Sequence, residues 1–191
     1  MRADAEGKSA HLLLDVLDLF APSQFPYGIV GALAASFYGI PRFTSDADIT
    51  VWLAGTGKTG RDLKDRIAAG GYDAELRFGD IEDPIAGVII VRDTYGNQVD
   101  VLIGVRGMDP EASGRCLKST LLGSTVRMIG VEDLIAMKLS AGGVQDVEDV
   151  RGILQVSKER VDIELARKLT RKYGKSVREA LDKLLSSDLS F

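Results

Sequence analysis

The chain is short of the residues that build zinc clusters, disulfide frameworks and thiol enzymes. It has one cysteine, Cys116, and one histidine, His11. An internal disulfide framework and a Cys/His zinc cluster are thereby excluded, and a reducing cytoplasm is the expected compartment. Long apolar runs are also missing. No uninterrupted apolar stretch approaches the roughly 18 residues of a bilayer-spanning helix, so no membrane partner is expected. The segment from His11 to Ala21 is interrupted by Asp15 and Asp18 and follows a charge-mixed opening, which is not the form of a signal peptide. Nor is there an excess of positive charge. With 24 Lys and Arg against 28 Asp and Glu, the net charge is -4 and no global field draws the protein to nucleic acid. Any site for a polyanion must be local.

What is present is a hydrophobic content of 45% over 191 residues, enough for a buried core. Ala10 to Phe20 places leucines and valine at helical spacing and predicts an amphipathic helix ended by Pro22 and Pro26. Tyr27 to Val30, Gly31 and Ala32 to Tyr38 read as a strand, a glycine turn and a short helix stopped by Gly39 and Pro41. Ala47 to Leu53 alternates as a half-buried strand, and a loop leads to a helix from Arg61 to Ala69. Further strands are predicted at Ala86 to Val91, Gln98 to Ile103 and Ser124 to Ile129. After Gly130 the pattern is helical: Val131 to Ala141, Asp146 to Gln155, Ile163 to Tyr173 and Val177 to Leu185. The expected fold is α/β (α+β), a mixed sheet with flanking helices over residues 1–130 and a helical region over 131–191.

Asp46 and Asp48 stand at i and i+2 on a strand, so their side chains share one face of the pleat. Two like charges side by side repel, and a hard divalent cation between them would relieve this. Asp100 sits between Val99 and Val101, where a lone acid is costly to bury without a partner. Each acid taken singly reads as a solvated or capping group; the three together, with the glycine turn upstream, read as a metal site.

The stretch Val30-Gly31-Ala32-Leu33-Ala34, followed by Gly39-Ile40-Pro41-Arg42-Phe43-Thr44-Ser45-Asp46-Ala47-Asp48-Ile49, resembles the signature of the nucleotidyltransferase superfamily of the DNA polymerase β type. The closest likeness is to AbiEii-like and related minimal bacterial nucleotidyltransferases, many of them toxin or antitoxin components. It continues through Val99-Asp100-Val101-Leu102, the helix from Val131 to Leu139 and Gln145 to Val150, covering residues 27 to 154 in order. The resemblance implies transfer of a nucleotidyl group from a nucleoside triphosphate to a hydroxyl on RNA, protein or a small molecule. It also implies Mg²⁺ or Mn²⁺ held by Asp46, Asp48 and Asp100, with Gly31 admitting the backbone to the phosphates. A cognate toxin or antitoxin is an implied partner. At Ala32 the chain departs from a family that often has serine there. A phosphate contact would then fall to backbone, Ser36 or Thr44, and a module without turnover is the alternative reading.

Lys138 falls in the middle of the apolar face defined by Val131, Leu134, Ile135 and Leu139. Either it snorkels to water or it reaches toward the carboxylates and triphosphate. Arg42 reads as a second phosphate contact or a surface arginine. Asp146 and Asp149 read as acids favouring a helix N-terminus, with a role in joining the helical region to the core as the alternative. Gly55-Thr56-Gly57-Lys58-Thr59-Gly60 has Gly-x-Gly-x-x-Gly spacing, but Leu76 to Phe78 makes a poor parallel strand for a dinucleotide fold, so a connector is expected. Nine Lys or Arg against five acids between Ser157 and Lys183 read as a solvated helix face or an RNA-facing surface.

Overall fold

In the computed structural model, which describes residues 1–21 and 25–187, the chain alternates helices and strands before closing with a run of helices. The elements are α1 (Ser9–Phe20), β1 (Tyr27–Ile29), α2 (Gly31–Phe37), β2 (Asp46–Val51), α3 (Gly60–Ala69), β3 (Asp73–Phe78), β4 (Ile85–Arg92) and β5 (Gln98–Val105). Then come α4 (Ala112–Arg115), β6 (Leu117–Leu121), β7 (Ser124–Met128), α5 (Val131–Ala141), α6 (Val144–Ser157), a 3-10 turn at Lys158–Arg160, α7 (Ile163–Tyr173) and α8 (Lys175–Ser187). Pro22, read as a stop for α1, lies outside the described residues.

The strands form one mixed sheet of seven in the order β3-β4-β5-β2-β1-β7-β6. β2 runs parallel to β5, β1 runs parallel to β7, and the other pairings are antiparallel. Apolar residues alternate along the central strands. Ala47 and Ile49 of β2 and Val99 and Val101 of β5 are buried, and α1 and α3 cover that face with Leu12, Leu13, Val16, Leu63 and Ile67. The segment before α1 is tied down by Asp15, which accepts the Arg2 backbone amide at 2.6 Å and its guanidinium at 3.1 Å.

α5 packs against α2, α6, α7 and α8, and its apolar residues belong to the same hydrophobic cluster as the sheet. Two hydrogen bonds pin this layer. The Tyr38 hydroxyl donates to the Ile129 carbonyl, and the Ser157 hydroxyl donates to the Tyr38 carbonyl at 3.0 Å. α5 ends at Gly142 in the left-handed conformation, a conformation that favours glycine at a helix C-terminus.

Two edge strands, β3 and β6, were not expected. The dinucleotide reading of Gly55 to Gly60 does not survive the topology, because β4 and β5 lie between β2 and β3 and no parallel βαβ unit forms. Thr59 is instead the N-cap of α3: its hydroxyl accepts from the Asp62 amide at 3.3 Å, while the Asp62 carboxylate accepts from the Thr59 amide at 2.8 Å.

Candidate active site

The site begins with the alternation that builds the core. Burying Ala47 and Ile49 turns Asp46 and Asp48 to the opposite side of β2, and burying Val99 and Val101 does the same for Asp100 on β5. Because the two strands are parallel and in register, Asp48 lies opposite Asp100 and Asp46 opposite Gln98. The three carboxylates are therefore brought together on one sheet face. Their orientations are held by neighbours. The Thr44 hydroxyl donates to Asp46 Oδ1 at 2.7 Å, and Gln98 Nε2 donates to Asp100 Oδ1 at 2.9 Å. Gln98 is itself fixed by Arg92 Nε, which donates to its Oε1 at 3.1 Å.

Gly31 closes the site from the side of α2. Its φ of +63° suits glycine, and a Cβ there would stand 2.0 Å from Asp48 Oδ2. The Val30 amide donates to the Asp48 carbonyl at 2.9 Å, which ties the start of α2 to β2. Ala32 is buried in α2 and offers no hydroxyl. Ser36 lies further along the helix and accepts from the Arg42 amide at 3.4 Å, so it supports the loop carrying Arg42.

The electrostatics record the crowding. Burial, then Asp46 and Asp100, push the Asp48 carboxyl up to about 6, while Lys138 and Arg42 pull it back. Asp100 is raised as well, by burial and by Asp46, against the Gln98 hydrogen bond and the charges of Arg92 and Arg77. Among the described residues, no three or more His, Cys, Asp or Glu groups are drawn into a closed metal-binding cluster. The donor set nevertheless fits a hard divalent ion. All three groups offer carboxylate oxygens on one sheet face, and Asp48 is raised by its carboxylate neighbours as well as by burial.

Lys138 does not snorkel. It is 6% exposed, and its ammonium contacts Asp149 at 2.7 Å and Asp146 at 3.0 Å. Asp149 is fully buried and also takes Arg42 Nη1 at 2.9 Å and Gln145 Nε2 at 3.1 Å. Burial alone would push the Asp149 carboxyl up, but hydrogen bonds from Lys138, Gln145 and Arg42, with the Lys138 charge, hold it below the usual carboxylate range. The helix-terminus reading therefore fails for Asp149. It lies beyond the first turn of α6 and joins that helix to α5 and to the Arg42 loop. The sequence pattern alone pairs Lys138 with neither acid; a lysine on an apolar helix face, followed eight and eleven residues later by acids, is the signal that could have found this cluster.

Four of the nine cations in the basic run after Ser157 are paired within the protein. Arg167 pairs with Glu164 and Asp182, Arg178 with Asp182, Lys172 with Asp109 and Lys175 with Glu179.

Solved structures share this arrangement of helices and strands. ANT(2″)-Ia, in complex with adenylyl-2″-tobramycin, is 15% identical with a TM-score of 0.61, the match covering 87% of this chain and 99% of that one. An antigenic nucleotidyltransferase-like protein from Paracoccidioides brasiliensis is 17% identical with a TM-score of 0.58, covering 98% of this chain and 93% of that one. No curated protein matches in sequence. A family-level match spans residues 88–190, a stretch that carries Asp100, Lys138 and Asp149. Over half of the chain is thus covered, and the protein belongs to the family described as nucleotidyl transferase of unknown function (DUF2204).

Proposed function

We propose that the protein transfers a nucleoside monophosphate from a nucleoside triphosphate to a hydroxyl of an acceptor. The observation that carries this reading is the register of β2 against β5, which sets Asp48 opposite Asp100 on the face that Gly31 closes. In this reading residues 1–130 form the transferase core, and 131–191 form a helical region that brings Lys138 to it.

Asp46, Asp48 and Asp100 would hold Mg²⁺ or Mn²⁺, which offsets phosphate charge and lowers the pKa of the attacking hydroxyl. The acceptor oxygen forms a bond to the α-phosphorus, the bond from that phosphorus to the bridging oxygen breaks, and pyrophosphate leaves. Asp100 would take the hydroxyl proton. Gly31 lets phosphate oxygens approach the first amides of α2. Lys138 and Arg42 supply positive charge beside Asp48, with Ser36 and Thr44 fixing the loop that carries Arg42.

One observation favours a second reading, a module that binds nucleotide without turnover. Ala32 removes the hydroxyl that many relatives carry after the glycine. The AbiEii-like kinship, and with it a cognate toxin or antitoxin as partner, belongs to the proposal on the strength of the motif from Gly31 to Asp48. Incubation with α-labelled nucleotides, Mg²⁺ and cell extract tests the transferase reading. Label should appear on an acceptor with the wild-type protein and be lost with Asp46→Asn/Asp48→Asn; label of equal strength in both would overturn it.

A further inference from the structure

Beside the carboxylates, on the side of Asp100, lies a half-enclosed cavity of about 160 Å³. It is lined by Leu102, Val105 and Arg106 at the end of β5, by Pro84 and Ile85 at the start of β4, and by side chains of α5 and α7 including Met137 and Tyr173. Leu102 follows Asp100 by two residues and so shares its side of the sheet, about 7 Å along the strand. Gly104, at φ +64°, interrupts the alternation beyond it, which is how Leu102 and Val105 come to line the same space. The walls are almost wholly apolar. Arg106 is their one charged residue. It is half-buried, donates to the Asp80 carbonyl at 2.6 Å and has no carboxylate partner among the described residues.

We infer that this cavity receives the body of the acceptor, and that the acceptor is a hydroxy compound with an apolar ring or short aliphatic body and an acidic group, not a polyamine. The inference rests on the transferase reading for the role of the ligand. The cavity's chemistry does not depend on it. An apolar space of about 150 Å³ holds a benzene-sized ring, so the volume suits a single ring and little more. Arg106, at the end of the cavity away from Asp100, sets the place of an anion. A polycationic sugar would find no carboxylate in these walls and would meet the Arg106 charge, an unfavourable desolvation on both sides. Asp100, two residues before Leu102 and on the same side of β5, is where the hydroxyl would be presented.

The test uses 3-(4-hydroxyphenyl)propionate as probe and tobramycin as contrast, titrated into the full chain without nucleotide and followed by saturation-transfer NMR and calorimetry. The aryl acid should bind in the millimolar range or tighter. Met137→Trp, which fills the cavity, should weaken it at least tenfold, and Arg106→Gln three- to tenfold, with unchanged circular dichroism. Should Met137→Trp fail to fold, Arg106→Gln alone decides. No binding of the aryl acid to the wild-type chain, binding unaffected by the folded variants, or tighter binding of tobramycin would each overturn the inference. Since no nucleotide is present, a chain that binds the probe but never transfers label would count against the transferase reading and leave the cavity's chemistry standing.

Discussion

Lys138 of α5 and Asp149 of α6 meet at 2.7 Å with 6% and 0% of their side chains exposed. Both charges have left water, and Asp149 answers Arg42 and Gln145 as well as the lysine. Removing Asp149 takes from Lys138 and Arg42 the buried carboxylate they share, but Lys138 keeps Asp146 and Arg42 is 32% exposed, so the cost falls at the low end for a buried pair, about 3 kcal/mol. Asp149→Ala should therefore lower the melting temperature by roughly 10 °C for a domain of this size, and Asp149→Asn by less. Differential scanning calorimetry checks this. A melting temperature for Asp149→Ala within about 2 °C of wild type would show that Lys138 finds water instead.

Asp48 makes a pH prediction with a definite sign. Its folded pKa of about 6 lies above the ordinary aspartate value of 3.8, so the folded state binds more protons between those limits. In metal-free protein this group's contribution to stability is greatest at low pH and falls as pH rises through that window, by on the order of 3 kcal/mol at most. Asp48→Asn should remove the trend. Urea denaturation between pH 4.5 and 7.5 in chelator would show the wild type losing stability relative to the variant as pH rises. Parallel curves would mean that Asp48 is neither desolvated nor crowded by Asp46 and Asp100.

Gly31→Ala tests the closure of the site. The added methyl meets Asp48 Oδ2 at 2.0 Å, and the φ of +63° costs a non-glycine residue about 1–2 kcal/mol before any clash. The variant should be destabilised by more than about 2 kcal/mol, with Asp48 displaced and Mg²⁺-nucleotide affinity reduced at least tenfold. Urea midpoints and calorimetric titration read the two effects separately.

The elements and the cluster differ in how much of them can be read locally. α5 and α7 were expected at the bounds where they form, because their apolar spacing and flanking glycines are local properties. β3 and β6 escaped notice because an edge strand has a partner on one side only. Asp73–Phe78 alternates charged residues outward, and Leu117–Leu121 is largely exposed, so neither shows the apolar density that marks a central strand. Lys138 stood out since a charge on an apolar helix face demands an anion. Its partners did not, because Asp146 and Asp149 read as acids of a helix N-terminus, and the Arg42 contact that completes the cluster joins residues 107 apart. The Asp48 to Asp100 pairing is equally non-local and was reached through the family resemblance. Arg106 and Met137 are unremarkable in sequence; only the approach of α5 to the end of β5 makes them neighbours.

A second buried ionic cluster gives the last prediction. Arg115 of α4 grips Asp133 in the first turn of α5 with two hydrogen bonds of 2.8 Å, and its Nη2 lies 3.5 Å from Asp109. Lys172 of α7 reaches the same Asp109 at 2.6 Å. The Lys172 hydrogen bond, with the Glu111 amide and the Arg115 charge, outweighs burial and holds the Asp109 carboxyl below its usual range. An acid depressed in this way stabilises the fold above its unfolded pKa and loses that contribution as pH falls through the folded value. Arg115→Ala leaves Asp133 buried without its cation and should cost about 3 kcal/mol. Lys172→Met should cost less, because Lys172 is more exposed and Asp109 keeps Arg115. A double-mutant cycle of Asp109→Asn with Lys172→Met should show coupling of about 1 kcal/mol at pH 7 that shrinks on acidification. Additive single effects, or coupling indifferent to pH, would mean that α7 is held to the sheet by its apolar contacts alone.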